Sequence, residues 1–226
     1  MEQIELSASL ILERAWNYAK SSNGLVMFAI NVAVSVIIGS IFSFSMRSMV
    51  AGGVAFTNPE DVLNFYAKLF SNPVLILSYL VSIIVGLGML RCAILLVQGK
   101  IESLSFNMFV LPIMSYLKIF AVAIICLIAV YAGLAMCIAP GVFLLVRLFW
   151  APIYLMDNHE ASIGEAFSAS WNMSSGDFWQ LLGIGVLSYF VYLAGFIACC
   201  VGMYFTMIIY LFSIALTYVE LTKKLQ

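Results

Sequence analysis

Residues 73–97 read PVLILSYLVSIIVGLGMLRCAILLV, a run whose one charge, Arg91, stands six residues before its end. The hydrocarbon core of a bilayer is about 30 Å thick and is crossed by roughly 20 helical residues, so this run is long enough to span a membrane. It is apolar on every side, whereas a membrane-spanning strand alternates apolar and polar residues over about 10 positions. The run therefore predicts a transmembrane helix.

Five more apolar runs flank it. They cover residues 25–46, 117–138, 141–156, 178–199 and 202–221. Only 9% of the 226 residues are charged, whereas a soluble domain carries about 25% charged residues. So few charges cannot cover the surface of a water-soluble protein of this length. The sequence therefore predicts an all-α integral membrane protein with six transmembrane helices in a single polytopic domain, 1–226.

The connections between the runs are informative. The segments 139–141 (Ala-Pro-Gly) and 200–202 (Cys-Val-Gly) are short enough to predict tight turns, and hence helical hairpins. The run 141–156 is short and contains Pro152, so we expect it to be tilted, kinked or partly interfacial. Between the first two runs, the segment 58–61 (Asn-Pro-Glu-Asp) predicts the start of a short amphipathic helix on one membrane face.

Two segments that precede membrane runs resemble each other. Trp16-Asn17 and Trp171-Asn172 each follow a serine by nine residues, Ser7 and Ser162, where a helix N-cap would serve. Ser162 and Glu165 have the spacing of a capping box, which Ser7 lacks. Apolar stripes with Trp at headgroup depth are typical of interfacial amphipathic helices.

A third, weaker copy starts at Ser105 and also precedes a run. The chain is then predicted to consist of three repeat-like units, each an interfacial helix followed by a transmembrane hairpin, over about 5–98, 101–157 and 160–222. Chance similarity of the Trp-Asn pairs is the alternative interpretation. The predicted membrane-interface anchors are Trp16, Trp171 and Trp179.

Lysine and arginine residues in the short loops predict the orientation. One side carries Arg14, Lys20, Arg91, Lys100, Lys118, Lys223 and Lys224, and the other carries Arg47 and Lys68. Both termini and the three interfacial helices are therefore predicted to be cytoplasmic. The segment 157–177 lies on the same side with four acids and no Lys or Arg, but acids contribute little to this bias.

Several function classes find no support. A net charge of −1 offers no basic field for nucleic acid. The five cysteines and the one histidine, His159, lack the spacing of a zinc site, so the cysteines are interpreted as packing residues, with a redox pair of Cys199 and Cys200 as the alternative. No GxSxG, HExxH, Walker or GxGxxG pattern occurs in a suitable context. We predict no catalytic residue, no metal, no cofactor and no enzyme activity.

The stretch PGVFLLVRLFWAP, residues 140–152, and the stretch IGEAF, 163–167, leading to Ser170-Trp171, resemble the YciC-like family of uncharacterised bacterial inner-membrane proteins. That family is similar to the membrane domain fused to some glycerophosphoryl diester phosphodiesterases. The resemblance is best over 139–180. It implies a six-helix protein of the bacterial inner membrane and brings no catalytic residue. The soluble phosphodiesterase domain is not in the sequence, so hydrolysis is not expected of it.

Arg147, near the middle of the fourth run, is the main candidate site. A charge at the bilayer centre is costly and is a functional-site hypothesis by default. Three interpretations stay open: contact with an anion or a lipid headgroup, a structural role on carbonyls near Pro152 or on Glu220, and snorkelling to the interface. Arg91 and Glu220 complete the candidate ligand-binding set, with snorkelling and pairing with Lys223 or Lys224 as their respective alternatives.

The sequence leaves three functions open. The first is binding or moving a small amphiphile, lipid or anion in a helix-bundle cavity around Arg147. The second is a structural or partner-binding membrane subunit, as an oligomer or with another membrane protein, in which removal of residues 1–20 leaves the bundle intact. The third, an intramembrane enzyme, needs paired acid and base groups that the sequence does not offer.

Overall fold

The computed structural model describes residues 7–50, 58–102, 104, 111–198 and 200–224. Within these ranges the chain forms ten helices and no strand. They are α1 (Ala8–Lys20), α2 (Ser22–Val50), α3 (Pro59–Ser71), α4 (Pro73–Val97), α5 (Ile113–Met136), α6 (Ile138–Leu148), α7 (Trp150–Asp157), α8 (Ile163–Met173), α9 (Phe178–Ala198) and α10 (Cys200–Thr222). The helix predicted from Ser105, and the redox pair of Cys199 and Cys200 that is the alternative to packing, lie outside the described residues and side chains.

Six stretches of the described chain are long and apolar enough to cross a membrane: α2, α4, α5, α6 with α7, α9 and α10. The prediction of an all-α chain with six helices long and apolar enough to span a membrane is thereby confirmed. Consecutive spans pack together, α2 on α4, α5 on α6 and α9 on α10. At the start of α4, Asn72 accepts hydrogen bonds from the backbone N–H groups of Val74 and Leu75, at 3.0 and 3.4 Å.

The turn before the fourth span lies earlier than the sequence predicts. Cys137, with an extended backbone, is the one residue between α5 and α6, and Pro140 lies within the first turn of α6. The first N–H groups of a helix have no intrahelical acceptor, so a proline there costs no hydrogen bond. The prediction of a turn at 139–141 is therefore wrong.

The fourth span is divided at Phe149, where α6 ends and α7 follows. Pro152 has no N–H to donate to the carbonyl of Leu148, four residues earlier, and its ring crowds that carbonyl. The thiol of Cys126, on α5, donates to it instead, with 3.6 Å between Sγ and O. Phe149 keeps helical backbone angles, so the division marks the hydrogen bond that Pro152 cannot make, and the predicted tilt or kink stays a prediction.

The hydroxyl of Ser21 forms hydrogen bonds with the backbone of both helices at the corner between α1 and α2. Ser21 Oγ donates to the carbonyl of Tyr18 at 2.6 Å and accepts from the N–H of Gly24 at 3.2 Å. A Cβ atom on Gly24 would lie 2.3 Å from the Tyr18 carbonyl oxygen and 2.5 Å from that of Ala19. The corner therefore requires glycine at this position.

Helix α10 lies in the middle of the molecule and packs against α1, α2, α4 and α9. Its side chains Phe212, Ala215 and Tyr218 are fully buried. Protein side chains therefore fill the bundle around this part of α10.

Helix α1 is part of this core. Its residues Ile11, Ala15 and Ala19 are buried, and Tyr18 stacks on Phe212 of α10 with ring centroids 5.3 Å apart. These contacts contradict the expectation that residues 1–20 can be removed without harm to the bundle, because one side of α10 would lose its cover.

Helix α8 begins with the predicted capping box. The backbone N–H of Ser162 donates to the Glu165 carboxylate at 2.8 Å, and Ser162 Oγ accepts from the Glu165 N–H at 3.2 Å. Ser7, at the equivalent place before α1, makes no such bond, as the spacing predicts. The three predicted interface anchors are exposed, Trp16 and Trp171 by 43% and Trp179 by 79%.

Candidate functional site

Arg147 lies in the last turn of α6 and contacts the end of α8. Its Nη1 donates to the carbonyl of Trp171 at 3.1 Å and to the hydroxyl of Ser175 at 2.9 Å, with the hydroxyl of Ser174 at 3.5 Å. In return, Ser170 Oγ donates to the backbone carbonyl of Arg147 at 2.6 Å. Both the side chain and the backbone of Arg147 therefore connect α6 to α8.

Two aromatic rings complete the surroundings of the guanidinium. Its carbon lies 5.2 Å from the ring centroid of Phe143 and 5.1 Å from that of Trp171, within the range of cation–π attraction. A cation at this place also stabilises the carbonyls at the C-terminus of α8, which have no donor within the helix. Arg147 Nε is buried and has no acceptor among the described residues.

These contacts lead to a prediction for Arg147→Ala. We expect the free energy of unfolding to fall by about 1–2 kcal/mol, because the charged hydrogen bonds to α8 and the ring contacts are lost. Arg147→Lys should recover only part of this stability, since lysine keeps the charge without the planar fork. Unfolding in detergent micelles, followed by tryptophan fluorescence, measures both variants.

The control is Arg14→Ala, whose half-exposed side chain lies 3.9 Å from Glu220 and should contribute under about 1 kcal/mol. Unchanged stability of Arg147→Ala, together with lost ligand binding, would favour the interpretation of Arg147 as an anion contact.

The other two candidate residues lie elsewhere. Glu220 pairs with Lys223 at 3.1 Å and with Arg14 at 3.9 Å, so the predicted pairing with Lys223 is observed and the pairing with Arg147 is not. Arg91 is half-buried in α4, beside the buried Cys92. The candidate set predicted from the sequence therefore does not converge on Arg147.

Asp157 lies at the centre of a polar cluster. The carboxylate ends α7 and accepts from Gln98 Nε2 at 2.9 Å and from the hydroxyl of Tyr218 at 3.2 Å, and it lies 3.5 Å from Lys100 Nζ. It thereby connects the ends of α4 and α7 to α10. The sequence shows Asp157 as part of a polar loop, but it gives no sign that Tyr218, within an apolar run, is its partner.

Beside α10, the structure contains a half-open cleft of about 520 Å³, within the range of roughly 300–1,000 Å³ that is usual for small-molecule sites. We call it the lateral cleft. It is lined by Leu145, Val146, Phe149, Trp150, Leu181, Leu182, Ile184, Gly185, Val186, Ser188, Tyr189, Phe190, Tyr210, Ile214 and Thr217. Among these described residues none is charged, and aliphatic and aromatic side chains predominate.

Sequence reasoning missed this cleft, because its lining comes from three separate runs that look alike in hydropathy. Arg147 is not in its lining, although Val146 and Phe149 on either side of it are. One polar feature of the lining stands out. Ser188 is only 2% exposed, and its hydroxyl has no hydrogen-bond partner in the described part of the chain.

The described side chains thus offer three features. They are a structural contact at Arg147, a polar cluster at Asp157 that joins three helices, and an apolar cleft with one unpartnered hydroxyl, that of Ser188. Of the three, the lateral cleft has the size and lining of a ligand site. A comparison of this chain with protein-family models, with curated proteins and with solved structures found no match.

Proposed function

We propose that this chain is a non-enzymatic, multi-pass membrane protein that binds the apolar part of a small amphiphile or lipid in the lateral cleft, either to hold it or to move it. The observation that supports this proposal is the cleft itself. It is apolar, it has the volume of a ligand site, and it lies within helices that are long and apolar enough to cross a membrane.

The rim of the cleft faces outward. Leu145, Val186 and Phe190 are exposed by 49%, 48% and 60%, respectively. In a membrane-spanning chain such side chains meet lipid tails, so an acyl chain could enter sideways from the bilayer. Because the described lining carries no charge, this site favours an apolar chain over a free anion.

The location belongs to the same proposal. The distribution of Lys and Arg over the loops and the resemblance of 139–180 to the YciC-like family support a bacterial inner-membrane protein with both termini cytoplasmic. In this arrangement α1 and α8 lie toward the cytoplasmic face, and each precedes a transmembrane pair.

A structural or partner-binding subunit is the second candidate. The observation that favours it is the exposure of Trp179, 79%, together with the half-exposed Trp16 and Trp171. Tryptophan is enriched both at membrane interfaces and in protein contacts, so these side chains fit an anchor in the lipid headgroups or a patch for another membrane protein.

The cleft can be tested through its tryptophan. The chain has four tryptophans, and Trp150 lines the cleft, so replacing Trp16, Trp171 and Trp179 with phenylalanine leaves one reporter in place. We expect dibromostearate, whose bromines quench nearby tryptophan, to quench Trp150 in a saturable manner in detergent micelles.

A matched pair of glycine variants on α9 then tests where the probe binds. Gly185 lines the cleft and Gly183 does not, and a Cβ on either residue would meet nothing within 4 Å. Gly185→Leu should fill the cleft and weaken dibromostearate binding about tenfold, the effect of displacing two CH₂ groups at ~0.8 kcal/mol each. Gly183→Leu should bind as the parent does. Equal binding by the two variants would contradict the proposal.

A further inference from the structure

Ser188 lies deep within its span. It follows Phe178, the first residue of α9, by ten residues, which is about 15 Å along a helix axis at 1.5 Å per residue. A bilayer core is about 30 Å thick, so a helix that crosses it places this serine near the midplane. Water is scarce at that depth, and a hydroxyl there has to find its partner in the protein or in a bound molecule.

The hydroxyl of Ser188 has no hydrogen-bond partner among the described residues, in contrast to the hydroxyls on the neighbouring helix α10. Ser213 and Thr217 on α10 donate to carbonyls four residues back, at 2.9 and 2.8 Å, as serine and threonine in apolar helices commonly do. Ser188 makes no such bond. The residue lines the lateral cleft but its Oγ is buried, so the hydroxyl meets a ligand there once the side chain turns about its Cα–Cβ bond. A buried hydroxyl without a partner is unfavourable in an apolar environment, so an acceptor supplied by a ligand would relieve that cost.

The remaining polar groups of the cleft restrict what the acceptor can be. Among the described lining residues, Tyr189, Tyr210 and Thr217 are the other hydroxyl side chains, and no lysine, arginine or histidine is present to neutralise a carboxylate or phosphate. An ionised group would therefore be costly here. An uncharged oxygen on an apolar molecule satisfies Ser188 without that cost.

We propose that the lateral cleft binds a neutral lipid through a carbonyl oxygen that accepts a hydrogen bond from Ser188 Oγ. This inference rests on the proposed function and adds the chemistry of the ligand to it. Two kinds of membrane molecule carry such a carbonyl on a long apolar chain: the acyl ester of a glycerolipid and the ring of a prenylated quinone. The aromatic side chains Phe149, Trp150 and Phe190 can pack against either.

The experiment uses the variant that retains Trp150 alone, with three quenching probes. Dibromo-octadecane has no oxygen, methyl dibromostearate has an ester carbonyl, and a decyl-substituted benzoquinone has ring carbonyls. We expect Ser188→Ala to weaken binding of at least one carbonyl probe about three- to tenfold, the effect of losing a single hydrogen bond. Binding of dibromo-octadecane should be unchanged.

Ser213→Ala is the matched control, because it removes an equally buried hydroxyl that already has a partner and does not line the cleft. It should leave all three affinities as they are. Ser188→Ala should fold normally, since it removes a hydroxyl that makes no bond in the described structure.

The outcomes separate the two proposals. An effect of Ser188→Ala on the ester alone identifies a glycerolipid, and an effect on the quinone alone identifies a prenylated quinone. Saturable binding of all probes with no effect of Ser188→Ala overturns the carbonyl contact and leaves the proposed function standing. Absence of saturable quenching by every probe overturns both.

Discussion

Replacing Asp157 with alanine is expected to lower the free energy of unfolding by about 2–4 kcal/mol. The hydroxyl of Tyr218 belongs to a fully buried side chain and would lose its acceptor, and so would the amide of Gln98. The Lys100 pair contributes little, because that side chain is 57% exposed and water screens it. Unfolding of the purified protein by sodium dodecyl sulphate, titrated into mild detergent, measures the change.

Two comparisons show whether the loss of stability in Asp157→Ala comes from its contacts with Gln98 and Tyr218. Glu160→Ala changes an exposed acid in the same loop and should alter stability by less than about 0.5 kcal/mol. In a double-mutant cycle, Asp157→Ala should cost less once Tyr218→Phe has removed the hydroxyl, with a coupling energy of about 0.5–3 kcal/mol. A cost for Asp157→Ala no larger than that of Glu160→Ala would refute the role assigned to this carboxylate.

The second large effect concerns Gly24, at the corner of α1 and α2. We expect Gly24→Ala to destabilise the protein toward the upper end of the ~1–3 kcal/mol that overpacking costs. The added Cβ would meet two backbone carbonyl oxygens and the Ala19 carbonyl carbon, at 2.3 to 2.7 Å, and backbone cannot rotate away as a side chain can. The same unfolding titration provides the measurement.

Gly39→Ala, on the same helix, is the control. A Cβ there would meet nothing within 4 Å, so alanine should be neutral or should stabilise α2 by up to about 1 kcal/mol through its higher helix propensity. If the two alanine variants prove equally stable, the corner does not depend on glycine and the close approach of α1 to α2 is not as described.

Local sequence signals were sufficient for much of the fold. The long apolar runs predicted the spans, and the segment 58–61 predicted the start of α3. The spacing of Ser162 and Glu165 predicted the capping box of α8. These features depend on residues a few positions apart, so the local sequence is sufficient to predict them. Pro140 was misread, because a proline suits a turn and the first turn of a helix equally well.

Tertiary partners could not be predicted in the same way. In a membrane, an apolar side chain can face lipid or protein at a similar cost, so hydropathy does not say which side of a span is buried. Tyr218 is fully buried and Tyr189 is 54% exposed, although both lie in apolar runs. Asp157 finds Gln98 and Tyr218 about 60 residues away in either direction, a pairing that only the packing of α4, α7 and α10 creates.

The divided fourth span has one more consequence. A helix resists bending through the hydrogen bonds that join successive turns, and at Phe149 the bond between the Leu148 carbonyl and residue 152 is already missing. The span is therefore held by one helical hydrogen bond fewer at this point than an uninterrupted helix would be. Phe149 and Trp150 lie at this point of the span and also line the cleft. If the cleft binds a lipid tail as proposed, a change in the angle between α6 and α7 would move these two side chains and thereby change the width of the cleft.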